Sequence, residues 1–104
     1  MTKTIKAKLN KIIKYAQTNS SWINKIIVFG EVLTSDTDDE VIELAAEFNE
    51  AYDIDECFDR LITVIDDITE GMFELIIMNG DNLTSNTVSE IAEGEIIYEV
   101  TNKT

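Results

Sequence analysis

A strand-like run that stops at a glycine is the feature that most constrains this fold. Residues 23–29 are rich in β-branched and aromatic side chains, and Gly30 follows them directly. A glycine at a strand end lets the backbone turn sharply and approach a bound phosphate, because no Cβ stands in the way. Since most such glycines only make a turn, Gly30 by itself predicts the end of a strand and no more.

Apolar residues at helical spacing predict two longer helices, over 4–17 and 54–69, the second with Asp53 as its N-cap. The other predicted elements are a strand over 73–78 interrupted by Glu74, a short helix between Thr84 and Gly94, and a strand over 95–100.

Residues 41–48 fit two patterns. As a strand, Ile42, Leu44, Ala46 and Phe48 would face the core while Glu43 and Glu47 point the other way. As a helix, Val41, Leu44, Ala45 and Phe48 would form one stripe, with a capping box at 37–40. The local pattern slightly favours the helix and leaves both open.

The charges are distributed very unevenly along the chain. All 21 acidic residues lie between Glu31 and Glu99, whereas six of the eight basic residues precede Gly30. Such a surface repels nucleic acid and anionic membranes and attracts a basic partner or divalent cations. The lysine-rich first helix could instead dock on the acidic body of its own chain or of a second copy.

Composition narrows the class of protein. A chain of 104 residues with 44% hydrophobic residues predicts a single globular domain over 1–104, with a lysine-rich helix at about 4–17 and a core at 23–100. The absence of histidine excludes His-based acid–base catalysis, and the single cysteine, Cys57, is expected in the core. These features predict a cytoplasmic protein without a membrane span.

Nucleotidyl transfer requires Mg²⁺ held by carboxylates on strands and a glycine turn for the triphosphate. The chain presents Val28-Phe29-Gly30-Glu31, then Glu40-Val41-Ile42-Glu43-Leu44, then Phe73-Glu74-Leu75-Ile76, and ends in a helix followed by Glu-Gly and Ile-Tyr. Over residues 24–99 this layout resembles a minimal domain of the DNA polymerase beta-like nucleotidyltransferase superfamily. The resemblance implies a strand at 41–48 and an α/β (α+β) fold, a mixed sheet of about four strands flanked by helices.

The resemblance also assigns roles to particular residues. Gly30 and Glu31 occupy the nucleotide-binding turn, and Glu43 and Glu74 would be the catalytic carboxylates that bind Mg²⁺. Four positions depart from the family pattern. Glu31 replaces the serine of its Gly-Ser turn, and Val41 replaces the first aspartate of its Asp-x-Asp pair. Glu43 and Glu74 keep a carboxylate but are longer than the family residues. A shifted alignment would bring Asp39 or Glu40 to that aspartate position. The active-site motifs are therefore degenerate.

Simpler explanations exist for both carboxylates. Glu43 could be a solvent-facing residue of a half-buried strand, and Glu74 could lie at an exposed strand start or pair with Lys25.

The resemblance implies a catalytically impaired domain that acts as a binding or regulatory partner. Family domains of this size often form hetero-oligomers with a helical protein, so we expect a protein partner with a basic surface, or a homo-oligomer, and at most weak nucleotide binding. The alternative is an active Mg²⁺-dependent transferase that uses Glu43 and Glu74 to move a nucleoside monophosphate.

Overall fold

The computed structural model describes residues 1–79 and 83–100. They form three helices and four strands, with a single 3₁₀ turn at Glu31–Leu33. The elements are α1 (Lys3–Gln17), β1 (Ile23–Phe29), β2 (Ile42–Phe48), α2 (Ile54–Thr69), β3 (Phe73–Ile77), α3 (Ser85–Ala92) and β4 (Glu95–Glu99).

The strands form one mixed sheet in the order β3-β2-β1-β4. β1 lies antiparallel to both β2 and β4, whereas β3 lies parallel to β2, with α2 as the connection between them. The expected mixed sheet of four strands with flanking helices is confirmed. The strand interpretation of 41–48 is also confirmed, and the helix interpretation is wrong because this segment hydrogen-bonds to strands on both sides.

The larger core fills the space between one sheet face and the two longer helices. Side chains of α1 and α2, such as Ile12 and Leu61, pack there against Val28, Leu44 and Phe48 of the sheet. Cys57 belongs to this core, as expected. We call this side of the sheet the helical face.

A smaller core lies on the opposite sheet face. It consists of Ile27, Phe29 and Ala45, with Ile76, Met78 and Ile91 packed around them. Ile91 belongs to α3, which therefore covers part of this side and leaves the rest open. We call this side the cleft face.

Side-chain caps begin all three helices. Thr2, Asp53 and Thr84 accept hydrogen bonds from backbone N–H groups in the first turns of α1, α2 and α3. Each cap satisfies donors that have no partner within the helix. The predicted cap at Asp53 is confirmed.

No helix in the described residues is both long enough and apolar enough to span a membrane.

Candidate functional site

The candidate site begins where β1 ends. Gly30 has φ +85° and ψ −162°, a backbone conformation that is essentially restricted to glycine. The chain then forms the 3₁₀ turn, in which the Leu33 N–H donates to the Gly30 carbonyl at 3.2 Å. The predicted strand end at Gly30 is thus a sharp reversal that directs the Glu31 backbone toward the cleft face.

An open cleft of about 490 Å³ lies beside this turn. Its described lining residues come from three places: the turn contributes Gly30, Glu31, Leu33 and Thr34, β2 contributes Glu43, and the C-terminal end of α3 contributes Glu90 and the C-cap residue Glu93. Four of these seven residues are carboxylates, and none is Lys or Arg. The cleft is therefore strongly acidic.

The Glu43 carboxylate lies directly against Gly30. A Cβ added at Gly30 would overlap a Glu43 carboxylate oxygen and come within 2.8 Å of its Cδ. The two residues meet because Phe29, the neighbour of Gly30, pairs with Glu43 across β1 and β2. The glycine thus leaves room for the chain's own carboxylate.

The environment of Glu43 raises the pKa of its carboxyl group. Burial is the largest cause, followed by the negative charges of Glu74, Glu90 and Glu31. A hydrogen bond from the Glu31 backbone N–H acts in the opposite direction and stabilises the charged form. Glu43 is therefore a half-buried acid held among other acids.

Glu74 is the register partner of Glu43 in the parallel β2–β3 pair. Its side chain is exposed and lies at the start of β3, an edge strand of the sheet. The sequence-predicted pair is thus brought together on the cleft face. The alternative pairing of Glu74 with Lys25 is wrong, since Lys25 forms its ion pair with Glu99 at 3.3 Å.

Two adjacent carboxylates can contribute oxygen ligands to a divalent cation, although they are fewer than an all-protein site uses. Within residues 1–79 and 83–100, no cluster of three or more Asp, Glu, Cys or His side chains is close enough to hold a metal ion. Asp39 and Glu40 are not among the described residues that line the cleft, and Val41 is an exposed residue just before β2. Magnesium binding by Glu43 and Glu74 stays a prediction.

Sequence reasoning missed Glu90 and Glu93. They lie three residues apart at the end of α3, so they share one side of the helix. That spacing was visible in the sequence, but the packing of α3 over the cleft face was not.

Comparison with known proteins shows which solved structures have a similar fold. No family model matches the sequence, and no curated protein matches it. A crystal structure of a toxin–antitoxin MntA–HepT mutant aligns with a TM-score of 0.66 at 17% identity, covering 89% of this chain and 74% of that chain. The MntA–HepT complex itself aligns with a TM-score of 0.62 at 16% identity, covering 91% and 73%.

A third solved structure is a tri-AMPylated HEPN toxin from Shewanella oneidensis in complex with an MNT antitoxin. It aligns with a TM-score of 0.63 at 16% identity and covers 91% of this chain and 72% of that chain. At such identities the likeness concerns the fold alone. This chain has a nucleotidyltransferase-like fold.

Proposed function

We propose that this chain is a nucleotidyltransferase-like domain that has lost efficient nucleotidyl transfer and acts as a binding or regulatory partner of another protein. The contact between Glu43 and Gly30 carries this proposal. The resemblance assigns the glycine turn to the triphosphate, and here the chain's own carboxylate lies against it.

Electrostatics supports the same conclusion. Two like charges about 6 Å apart repel by about 3 kcal/mol at an effective dielectric constant of about 20. A triphosphate in the cleft would meet the carboxylates of Glu31, Glu43, Glu90 and Glu93, and no cation among the described lining residues. Weak or undetectable nucleotide binding follows from this balance.

The proposed partner is a protein that presents a basic surface. The acidic cleft would attract Lys and Arg side chains by the same field that repels a phosphate. The solved structures with a similar fold are complexes of a toxin with an antitoxin, which supports a protein partner for this chain as well. In such a pair, this domain would bind the partner protein and regulate it, and would not transfer a nucleotide to it.

Calorimetric titration with ATP in millimolar Mg²⁺ tests the loss of nucleotide binding. We expect no measurable heat from the wild-type protein. The matched variant carries Glu31→Ser, Val41→Asp and Glu43→Asp, which restores the residue types of the family motif, removes one cleft carboxylate and shortens the carboxylate that lies against Gly30. It is expected to bind ATP in a manner that EDTA abolishes. Micromolar binding by the wild type that EDTA removes would contradict the proposal.

The register pairing of Glu43 with Glu74 favours a second candidate function, an active Mg²⁺-dependent transferase. In that case Glu74→Gln would abolish transfer of a radiolabelled nucleotide to an acceptor. Its melting temperature would hardly change, because the Glu74 side chain is exposed. Glu50→Gln, another exposed carboxylate, is the matched control and should keep the label. Labelling that survives Glu74→Gln would exclude this assignment of the site.

A further inference from the structure

The helical face carries two neighbouring helices of opposite charge. α1 contains five lysines and no acidic residue: Lys3, Lys6, Lys8, Lys11 and Lys14. Four of these lysines are exposed, and Lys8 is half-buried. Because Ile5, Leu9, Ile12 and Ala16 face the core, the lysines cover the solvent side of the helix. α1 is therefore a basic ridge along the helical face.

α2 presents the opposite charge beside that ridge. It contains five acidic residues and one basic residue, Arg60, and all six are exposed. The acidic residues are Asp55, Glu56, Asp59, Asp66 and Asp67. α1 and α2 both pack on the larger core, so the basic and acidic ridges lie side by side.

These charges do not neutralise one another within the chain. In the part of the chain that the structure describes, the ion pair within 4.0 Å is Lys25 with Glu99, which lies outside both helices. The lysines of α1 and the carboxylates of α2 therefore face outward. The helical face consists of two solvated stripes, one for each sign of charge.

We propose that the helical face is a docking surface for a second copy of this chain. A two-fold axis along the seam between α1 and α2 would lay the basic α1 of one copy over the acidic α2 of the other, and the reverse. Such an interface is isologous, so each charge complementarity occurs twice. An unrelated acidic partner would attract α1 but repel α2, whereas a second copy presents the opposite charge to both helices.

The net charge of −13 repels two copies at long range, but this field is screened beyond a Debye length of about 8 Å at physiological salt. The facing helices would be closer than that, so their complementary charges dominate. The acidic cleft lies on the other face of the sheet and stays open in such a dimer. The inference is therefore independent of the proposed function, and either can fail alone.

Sedimentation velocity across salt concentrations gives the first measurement. We expect a species of about twice 11.7 kDa at physiological salt and a monomer at about 1 M, where the Debye length is about 3 Å. A monomer at every salt concentration and at high protein concentration would overturn the proposal.

Charge reversal supplies the sharper test. A basic-to-acidic variant of α1 (Lys3→Glu, Lys6→Glu and Lys11→Glu) and an acidic-to-basic variant of α2 (Asp59→Lys, Asp66→Lys and Asp67→Lys) should each be monomeric alone. Mixed together, they should form a heterodimer, because the acidic α1 of one variant then meets the basic α2 of the other, and the two unchanged helices also meet with opposite charges. All the substituted positions are exposed, so folding should be retained, and circular dichroism checks this.

The matched control for the α2 variant carries Glu31→Lys, Glu90→Lys and Glu93→Lys, three exposed residues that line the cleft. It changes the net charge by the same amount but lies on the cleft face. It should dimerise at least as well as the wild type. Equal loss of the dimer in this control, or a mixture of the two reversed variants that stays monomeric, would show that the helical face is not the interface.

Discussion

The two faces of the sheet differ in how they are used. On the helical face, α1 and α2 cover a continuous apolar surface in which Leu44, Phe48 and Leu61 are completely buried. On the cleft face, three residues form the buried cluster, and a half-buried carboxylate lies beside them. The comparison indicates that most of the folding free energy comes from the helical side. The cleft side is thus left free to hold charged groups close together, at a cost that the larger core can offset.

The largest effect is expected from truncating the helical-face core. Phe48 is 0% exposed and packs in the larger core, with its ring centroid 6.0 Å from that of Trp22. Phe48→Ala should lower the free energy of unfolding by about 3–5 kcal/mol through lost burial and a residual cavity. Urea unfolding measures the change. Val88→Ala is the control, since Val88 is 51% exposed and should change stability by less than about 0.5 kcal/mol.

On the cleft face, Gly30→Ala should destabilise by about 1–3 kcal/mol, because alanine cannot adopt this backbone conformation without strain. The new Cβ would also overlap the Glu43 carboxylate. The double variant with Glu43→Ala separates the two causes in thermal or urea unfolding. The double variant should recover only the part of the lost stability that is due to overlap with the Glu43 carboxylate. Complete recovery would mean that the backbone is unstrained, and no loss in the single variant would mean that Glu43 does not lie against Gly30.

Tyr98 offers a smaller test on the helical side. Its hydroxyl oxygen is buried without a hydrogen-bond partner in the described residues, and burial raises the pKa of its phenol. Tyr98→Phe removes a polar atom that loses its water on folding, so it should be neutral or stabilise by up to about 1 kcal/mol. Chemical denaturation of the two proteins at the same pH measures this. A loss of stability would mean that the hydroxyl has a partner.

The smallest expected effect concerns the charge of Glu43. Its pKa is raised by folding, so the folded state binds a proton more tightly than the unfolded state does. The stability that this proton contributes is present below the unfolded pKa and is lost as the pH rises through the folded pKa. Glu43→Gln should therefore raise the free energy of unfolding at neutral pH, by less than about 1 kcal/mol because the Glu43 side chain is only partly buried. In acid, where wild-type Glu43 is itself protonated, the gain should be smaller.

Unfolding curves at neutral and acidic pH give this difference for Glu43→Gln. Glu70→Gln, an exposed carboxylate on another part of the molecule, is the control for a general charge effect. An equal gain in stability in both variants would show that the change comes from the net charge and not from the surroundings of Glu43 in the cleft.

Local sequence determined much of this fold. The apolar spacing of 54–69 and the Asp53 cap predict α2 with the bounds that the structure has, because helical periodicity and side-chain capping depend on neighbours a few residues away. The run that ends at Gly30 likewise predicts β1. The carboxylates Glu43 and Glu74 were also visible in the sequence, although only the family resemblance linked them.

Tertiary structure decided the rest. Residues 41–48 form a strand because β1 and β3 supply hydrogen-bond partners on both sides, which local helix signals could not reveal. The contact of Glu43 with Gly30 and the approach of Glu90 and Glu93 depend on strand register and on the packing of α3. These are contacts between distant parts of the chain, and their geometry is set only when the sheet and its helices assemble.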